Sequence, residues 1–177
     1  MKLYFVRHGQ TNANASMVHG QSIAELDEPL NQLGIQQAKE LAKELEAITF
    51  DAIISSSLKR AYQTAELVNE YHHLPLETDD VWRERKAESY IDINSWNDLF
   101  DFDKNIQLEN GESLTEFFER IYAALDTLKQ EYDNQTILVV SHGGVQHALY
   151  AYANKLPWAG NMRISPMKNC EYRIYNL

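Results

Sequence analysis

Thr136-Ile137-Leu138-Val139-Val140-Ser141-His142-Gly143-Gly144 is the stretch on which the fold turns. Its apolar, mostly β-branched run lacks the polar alternation of a half-exposed strand, so residues 136–141 read as a strand buried on both faces. Strands of that kind belong to parallel sheets covered by helices on either side. The glycine pair ends the strand, and residues 145–154 read as a helix. Working outward, residues 2–7 (KLYFVR) form a second buried strand bounded by Gly9, and residues 51–55 (DAIIS) a third. Residues 76–79, after Pro75, read as a short edge strand, and the alternating segment 170–176 as another.

Helical periods fill the intervals. Over residues 31–47, Asn31 is the expected N-cap, and Leu33, Ala38, Leu41, Ala42 and Leu45 form an apolar stripe. Residues 57–72 place Leu58, Ala61, Ala65 and Val68 on one side. Ser113 and Glu116 make a capping-box pattern before residues 113–132, where Phe117, Ile121, Ala124, Leu125 and Leu128 recur at helical spacing. Residues 80–112 differ: charged and aromatic residues mix without a period, and Asn110-Gly111 signals a turn. They read as a cap-like excursion across the top of the sheet, with short helices. The expected fold is α/β: a three-layer sandwich with a mainly parallel central sheet and helices on both faces, in one domain over residues 1–177.

Composition narrows the function classes. The net charge of −10 argues against a nucleic-acid partner, which needs a basic face. It leaves room for a small anionic substrate, because a few converging arginines make a local positive field. The lone cysteine, Cys170, cannot form an intramolecular disulfide, and a cytoplasmic setting is expected. No signal peptide or membrane-spanning run is expected from the sequence, so no membrane partner is either. Oligomeric state is not legible.

In a parallel sheet the binding crevice lies beyond the carboxyl ends of the strands. Arg7-His8-Gly9, Ser55 to Arg60, and His142-Gly143 all follow strands. Arginine presents a fork of donors that matches phosphate oxygens, and a histidine nitrogen is a competent nucleophile toward phosphorus. Two arginines and a protonated His142 would neutralise a phosphoryl dianion and its transition state. Gly9 is expected to leave room for a substrate near the backbone. A carboxyl group must protonate the leaving alcohol. Glu84, in Trp82-Arg83-Glu84-Arg85, is the leading candidate, ahead of Glu112 and Glu88. His72-His73 read as helix-terminus residues, His19 as a loop residue, and His147 as a supporting or solvent-facing residue.

Arg7-His8-Gly9 with Thr11 and Asn14, residues 57–65 (SLKRAYQTA) and residues 141–144 (SHGG) together resemble the histidine phosphatase superfamily, the phosphoglycerate mutase-like proteins. Asp27, Pro29, Leu30, Gly34, Gln37 and Ala38 are similar to the pattern between the first two motifs. The resemblance implies that His8 is the phosphorylated nucleophile, that Arg7, Arg60 and His142 bind phosphoryl oxygens, and that Glu84 is the proton donor. Gly9, Thr11, Asn14, Gly20 and Gly143 are the implied substrate-binding residues. The family's Gly-x-Trp-Glu-Gly stretch after the acid is absent, since this chain reads Arg85-Lys86-Ala87-Glu88-Ser89-Tyr90 there. The long middle insertion of the mutases is also absent, which points to the compact phosphatase branch.

The expected activity is therefore hydrolysis of a small phosphorylated metabolite through a phosphohistidine, with no metal and no organic cofactor. Phosphoglycerate mutase-type transfer and a non-catalytic phosphate-binding module are the alternatives. An esterase would need a Gly-x-Ser-x-Gly elbow, and a metal hydrolase would need ligand spacing such as HExxH; the sequence has neither.

Overall fold

The computed structural model describes residues 1–16, 27–85, 98–108 and 110–177. In chain order its elements are β1 (Lys2–Arg7), α1 (Asn12–Ser16), α2 (Gln32–Leu45), β2 (Ala52–Ser56), α3 (Lys59–Asn69), β3 (Leu76–Asp79), α4 (Leu114–Glu131), β4 (Thr136–Ser141), α5 (Val145–Ala153) and β5 (Tyr172–Asn176). Short 3-10 turns lie at Asp80–Trp82 and Asp98–Phe100.

The strands form one sheet in the order β3-β2-β4-β1-β5. β4 pairs in parallel with β1 on one side and β2 on the other, so three strand exits lie side by side. β3 is parallel to β2, and β5 alone runs antiparallel, along β1. The fold is thus α/β with a mostly parallel sheet.

The period of two along each strand sorts the core into two layers. Leu3, Phe5, Ile54, Ile137 and Val139 face α4 and α5. Tyr4, Val6, Ile53, Leu138 and Val140 face α2 and α3. On α4, Phe117, Phe118, Ile121 and Leu125 are fully buried, each contributing about 1.5–3 kcal/mol of apolar transfer. The expected capping box at Ser113 and Glu116 is formed in both directions. Asn31 caps α2, its side chain accepting the Gly34 N–H.

Two local expectations fail. Leu33 is half exposed, and Gly34 takes its place on the buried side of α2. A Cβ on Gly34 would lie 2.1 Å from the Gln10 carbonyl oxygen, so the helix is turned to bring bare backbone against the end of β1. The short helix α1 was not anticipated from the polar Asn12–Ser16 sequence, which buries no residue. Among the described residues, no helix is long and apolar enough to cross a membrane.

Candidate active site

Strand geometry sets the first group. His8 follows β1, and its backbone N–H donates to Ser141 O at the end of β4 (3.0 Å), holding the two exits together. His8 is buried, and its Nδ1 lies 2.7 Å from its neighbour's carbonyl, Gly9 O. A carbonyl can only accept, so Nδ1 carries the proton and Nε2 keeps its lone pair. That lone pair accepts the Arg60 Nε–H at 3.2 Å. Arg60 stands in the first turn of α3, immediately past β2, and is itself buried.

His142, at the exit of β4, is fully buried beside His8, with ring centroids 5.1 Å apart. Its Nε2 lies 2.8 Å from Ser56 Oγ, the hydroxyl at the end of β2. Ser56 Oγ also accepts the Leu58 N–H, at a long 3.4 Å, and among the described residues Nε2 is the one acceptor bonded to its own proton. Nδ1 of His142 then bears a hydrogen, and it has no hydrogen-bond partner among the described residues. The Arg7 Nε is likewise buried without a partner, while Arg7 Nη1 donates to Met167 O at 2.5 Å. Two unspent buried donors beside a histidine lone pair are an anion site awaiting charge.

Burial first, and the Arg60 and Arg7 charges second, hold the His8 pKa well below the usual histidine value. The same causes act on His142, with His8 adding to them. His142 is therefore a neutral N–H donor here, and a bound dianion would raise its affinity for a proton. His147 is also depressed, to about 3, by burial and then by Arg163 and Arg173.

All three histidines have folded values below the unfolded value of about 6.5, so the unfolded chain takes up protons first as the pH falls. Their contribution is complete above about pH 6.5 and is lost progressively below it. His147, depressed to about 3, stays neutral in the fold while the unfolded chain titrates, so it costs about 1 kcal/mol of stability between pH 6.5 and 5.5, and His8 and His142 act in the same direction. Urea unfolding across that interval should show the fall, and His147→Asn should remove about 1 kcal/mol of it. An unchanged slope in that variant contradicts the assignment.

Glu84 completes the group. It follows the Asp80–Trp82 turn and lines one cavity of about 220 Å³ together with Arg7, His8, Asn14, Arg60 and Gly143. Its Oε2 accepts the Gly144 N–H at 2.8 Å and its Oε1 accepts the Arg85 N–H at 3.0 Å. Arg120 secures the same segment by donating to the carbonyls of Val81 and Arg83. Its guanidinium also clamps both carboxylate oxygens of Glu112, at 2.6 and 2.7 Å. Glu112 is thereby committed to Arg120 and does not line the cavity. Glu88 lies outside the described residues, as do His19 and Gly20.

Two of the implied substrate-binding residues stand elsewhere. A Cβ on Gly9 would lie 2.7 Å from Gly34 O, so this glycine exists for close packing of α2 and does not line the cavity. Thr11 is buried behind α1, where its Oγ1 accepts the Asn14 N–H at 3.2 Å. Asn14 does line the cavity. Its Oδ1 accepts from the Asn169 amide at 3.3 Å, which also donates to His8 O at 3.0 Å.

Several contributors have no role assigned from the sequence. Gly144, inside the SHGG motif, is one: a Cβ there would fall 1.9 Å from Glu84 Oε1, so the carboxylate is seated where a side chain would be. Ser56, Thr64 and Asn169 are others, joined to His142, Gly9 and His8 by contacts distant in sequence. Cys170 lies next to Arg7, but burial pushes its thiol up to about 12, so it is not an available thiolate.

The cavity thus has an imidazole lone pair, two guanidiniums and a carboxyl group at the exits of adjacent parallel strands, with the His142 ring buried beside that of His8 and outside the cavity lining. A family model described as the histidine phosphatase superfamily (branch 1) matches residues 3–177, and the chain belongs to that superfamily. It is 35% identical over 144 residues to the uncharacterized phosphatase PhoE of Bacillus subtilis (strain 168), covering 81% of this chain and 72% of that protein. It is 32% identical to the probable phosphoglycerate mutase GpmB of Yersinia pestis (strain Pestoides F), covering 96% of this chain and 82% of that one. Among solved structures it is similar to a mycobacterial glucosyl-3-phosphoglycerate phosphatase in complex with VO3. There the TM-score is 0.84 at 27% identity, over 98% of this chain and 91% of the other.

Proposed function

We propose that the protein is a phosphomonoester hydrolase that carries the phosphoryl group of a small substrate on His8. The observation that supports this most is the tautomer of His8. With Nδ1–H committed to Gly9 O, the Nε2 lone pair faces the Arg60 guanidinium in the cavity that Arg7 and Glu84 share. In the first step Nε2 attacks phosphorus, the bond from phosphorus to the leaving oxygen breaks, and Glu84 gives that oxygen a proton. Arg7, Arg60 and the Nδ1–H of His142 take the equatorial oxygens, where charge spreads in the transition state. In the second step Glu84 takes a proton from water, the water oxygen attacks phosphorus, and the P–N bond breaks to release inorganic phosphate. The proton lent in one step returns in the other.

The cavity volume suits a small molecule, and the net charge of −10 disfavours nucleic acid. Hydrolysis is supported by the phosphatase names among its relatives and by the lack of a long middle insertion. The mutase names among them favour a second reading, phosphoryl transfer between hydroxyls. One experiment separates these. The protein is incubated with 3-phosphoglycerate and with p-nitrophenyl phosphate, beside His8→Ala, and followed for inorganic phosphate and for 2-phosphoglycerate. Phosphate release without interconversion is expected. Interconversion outrunning release overturns hydrolysis in favour of transfer. No turnover above His8→Ala leaves a phosphate-binding module.

A further inference from the structure

The cavity does not end at the phosphoryl machinery. It continues along the first turns of α5 to Gln146 and His147, with Leu99, Phe100, Pro166 and Met167 as apolar walls. None of these groups has a part in the phosphoryl chemistry above, yet two of them are polar and buried.

Gln146 is 1% exposed, and its Oε1 has no hydrogen-bond partner among the described residues. Its Nε2 makes only a long 3.4 Å bond to Ser165 O, which fixes the amide's orientation, since turning it would set oxygen against oxygen. A buried acceptor left unpaired is costly, so the position is explained if a ligand supplies the donor. His147 offers the complement. Its Nδ1 accepts the Ile164 N–H at 3.1 Å, so the ring proton sits on Nε2. The ring lies 4.1 Å from that of Phe100 and is 5% exposed. It is a neutral donor at neutral pH.

One acceptor and one uncharged donor on neighbouring residues match a hydroxyl group, which gives one hydrogen bond and takes another. The walls match the C–H faces of a sugar ring or polyol. Two further guanidiniums line the cavity: Arg85 is engaged with the carbonyls of Glu112, Leu99 and Ile106, and Arg163 is exposed to solvent. We infer that Gln146 and His147 form a leaving-group subsite selective for an uncharged, hydroxyl-bearing moiety of the carbohydrate type. This rests on the proposed phosphatase reading, because it takes the cavity beyond Glu84 to hold the alcohol portion of the substrate.

The test uses two ligands of equal ring size, ribose 5-phosphate and cyclopentylmethyl phosphate, which lacks the hydroxyls. Their dissociation constants are measured by calorimetry on the full chain carrying His8→Ala, alone and combined with Gln146→Met or His147→Asn. Methionine keeps the length of glutamine without its amide, and asparagine keeps an acceptor for Ile164 N–H without the Nε2 donor. Ribose 5-phosphate is expected to bind at least tenfold more tightly, and each added substitution should bring the pair to within about threefold. General damage to the fold weakens both ligands together and leaves their ratio unmoved, so the ratio isolates the subsite.

A ratio near one in the His8→Ala protein overturns the inference, and so does a large ratio that survives both substitutions. Tighter binding of 3-phosphoglycerate than of ribose 5-phosphate, lost with Arg163→Gln, overturns it in favour of an anionic leaving group. Calorimetry needs no turnover, so failure of the His8-containing protein to release phosphate would count against the reaction and not against the subsite.

Discussion

His8→Ala is expected to abolish the covalent intermediate: protein quenched with alkaline denaturant, in which a P–N bond survives, gains the mass of one phosphoryl group after reaction with p-nitrophenyl phosphate in the wild type and none in the variant. The expected loss of turnover is complete within the detection limit, and larger than for any other single change. The physical reason is that no second group can take over the bond to phosphorus. His142 lies 5.1 Å away between ring centroids, but its Nε2 accepts the Ser56 hydroxyl and its Nδ1 bears the hydrogen, so neither nitrogen presents a lone pair to the cavity. Cys170 is held as a thiol by burial. The fold should tolerate the change, because the His8 backbone N–H to Ser141 O bond needs no side chain. A phosphoryl adduct that persists in His8→Ala, or one mapped to another residue, refutes the assignment of the nucleophile.

Glu84→Gln is the second large effect, and it should depend on the leaving group. For an alkyl phosphate, whose alkoxide is a poor leaving group, removal of the general acid is expected to cost about 10²–10⁴ in turnover. For p-nitrophenyl phosphate, whose phenolate leaves without a proton, the loss should stay within about tenfold. Gly144→Ala should reproduce that pattern in weaker form while leaving Glu84 itself in the chain. The φ of −69° at Gly144 suits alanine, so backbone strain does not enter; the new methyl group occupies the space of the Glu84 carboxylate and displaces it. Equal losses on both substrates, in either variant, would mean that Glu84 holds the pocket's shape and transfers no proton.

The strands and long helices were legible because their signals are local. The apolar run at residues 136–141 is β4 to the residue, and Ser113 with Glu116 announces α4 three residues apart. The placement of Arg7, His8, Arg60 and His142 was legible for a topological reason: parallel strands deliver their exits to one edge of the sheet. What escaped depends on contacts that no sequence window spans. Leu33 lost its predicted place because Gly34 and Gly9 let α2 approach the end of β1, and that contact outweighs one leucine on the stripe. The seat of Glu84 on Gly144 joins residues 60 positions apart. His147 read as peripheral because nothing beside it in sequence predicts the Ile164 N–H that fixes its tautomer.

The strand that leads into His8 is flanked on one side by a segment about 160 residues further along the chain. Met167 O receives Arg7, the Cys170 N–H donates to Arg7 O, Asn169 holds His8 O, and β5 zips along β1. Contacts of such long sequence separation come late in folding, so Arg7 and His8 are aligned only once β5 has docked along β1.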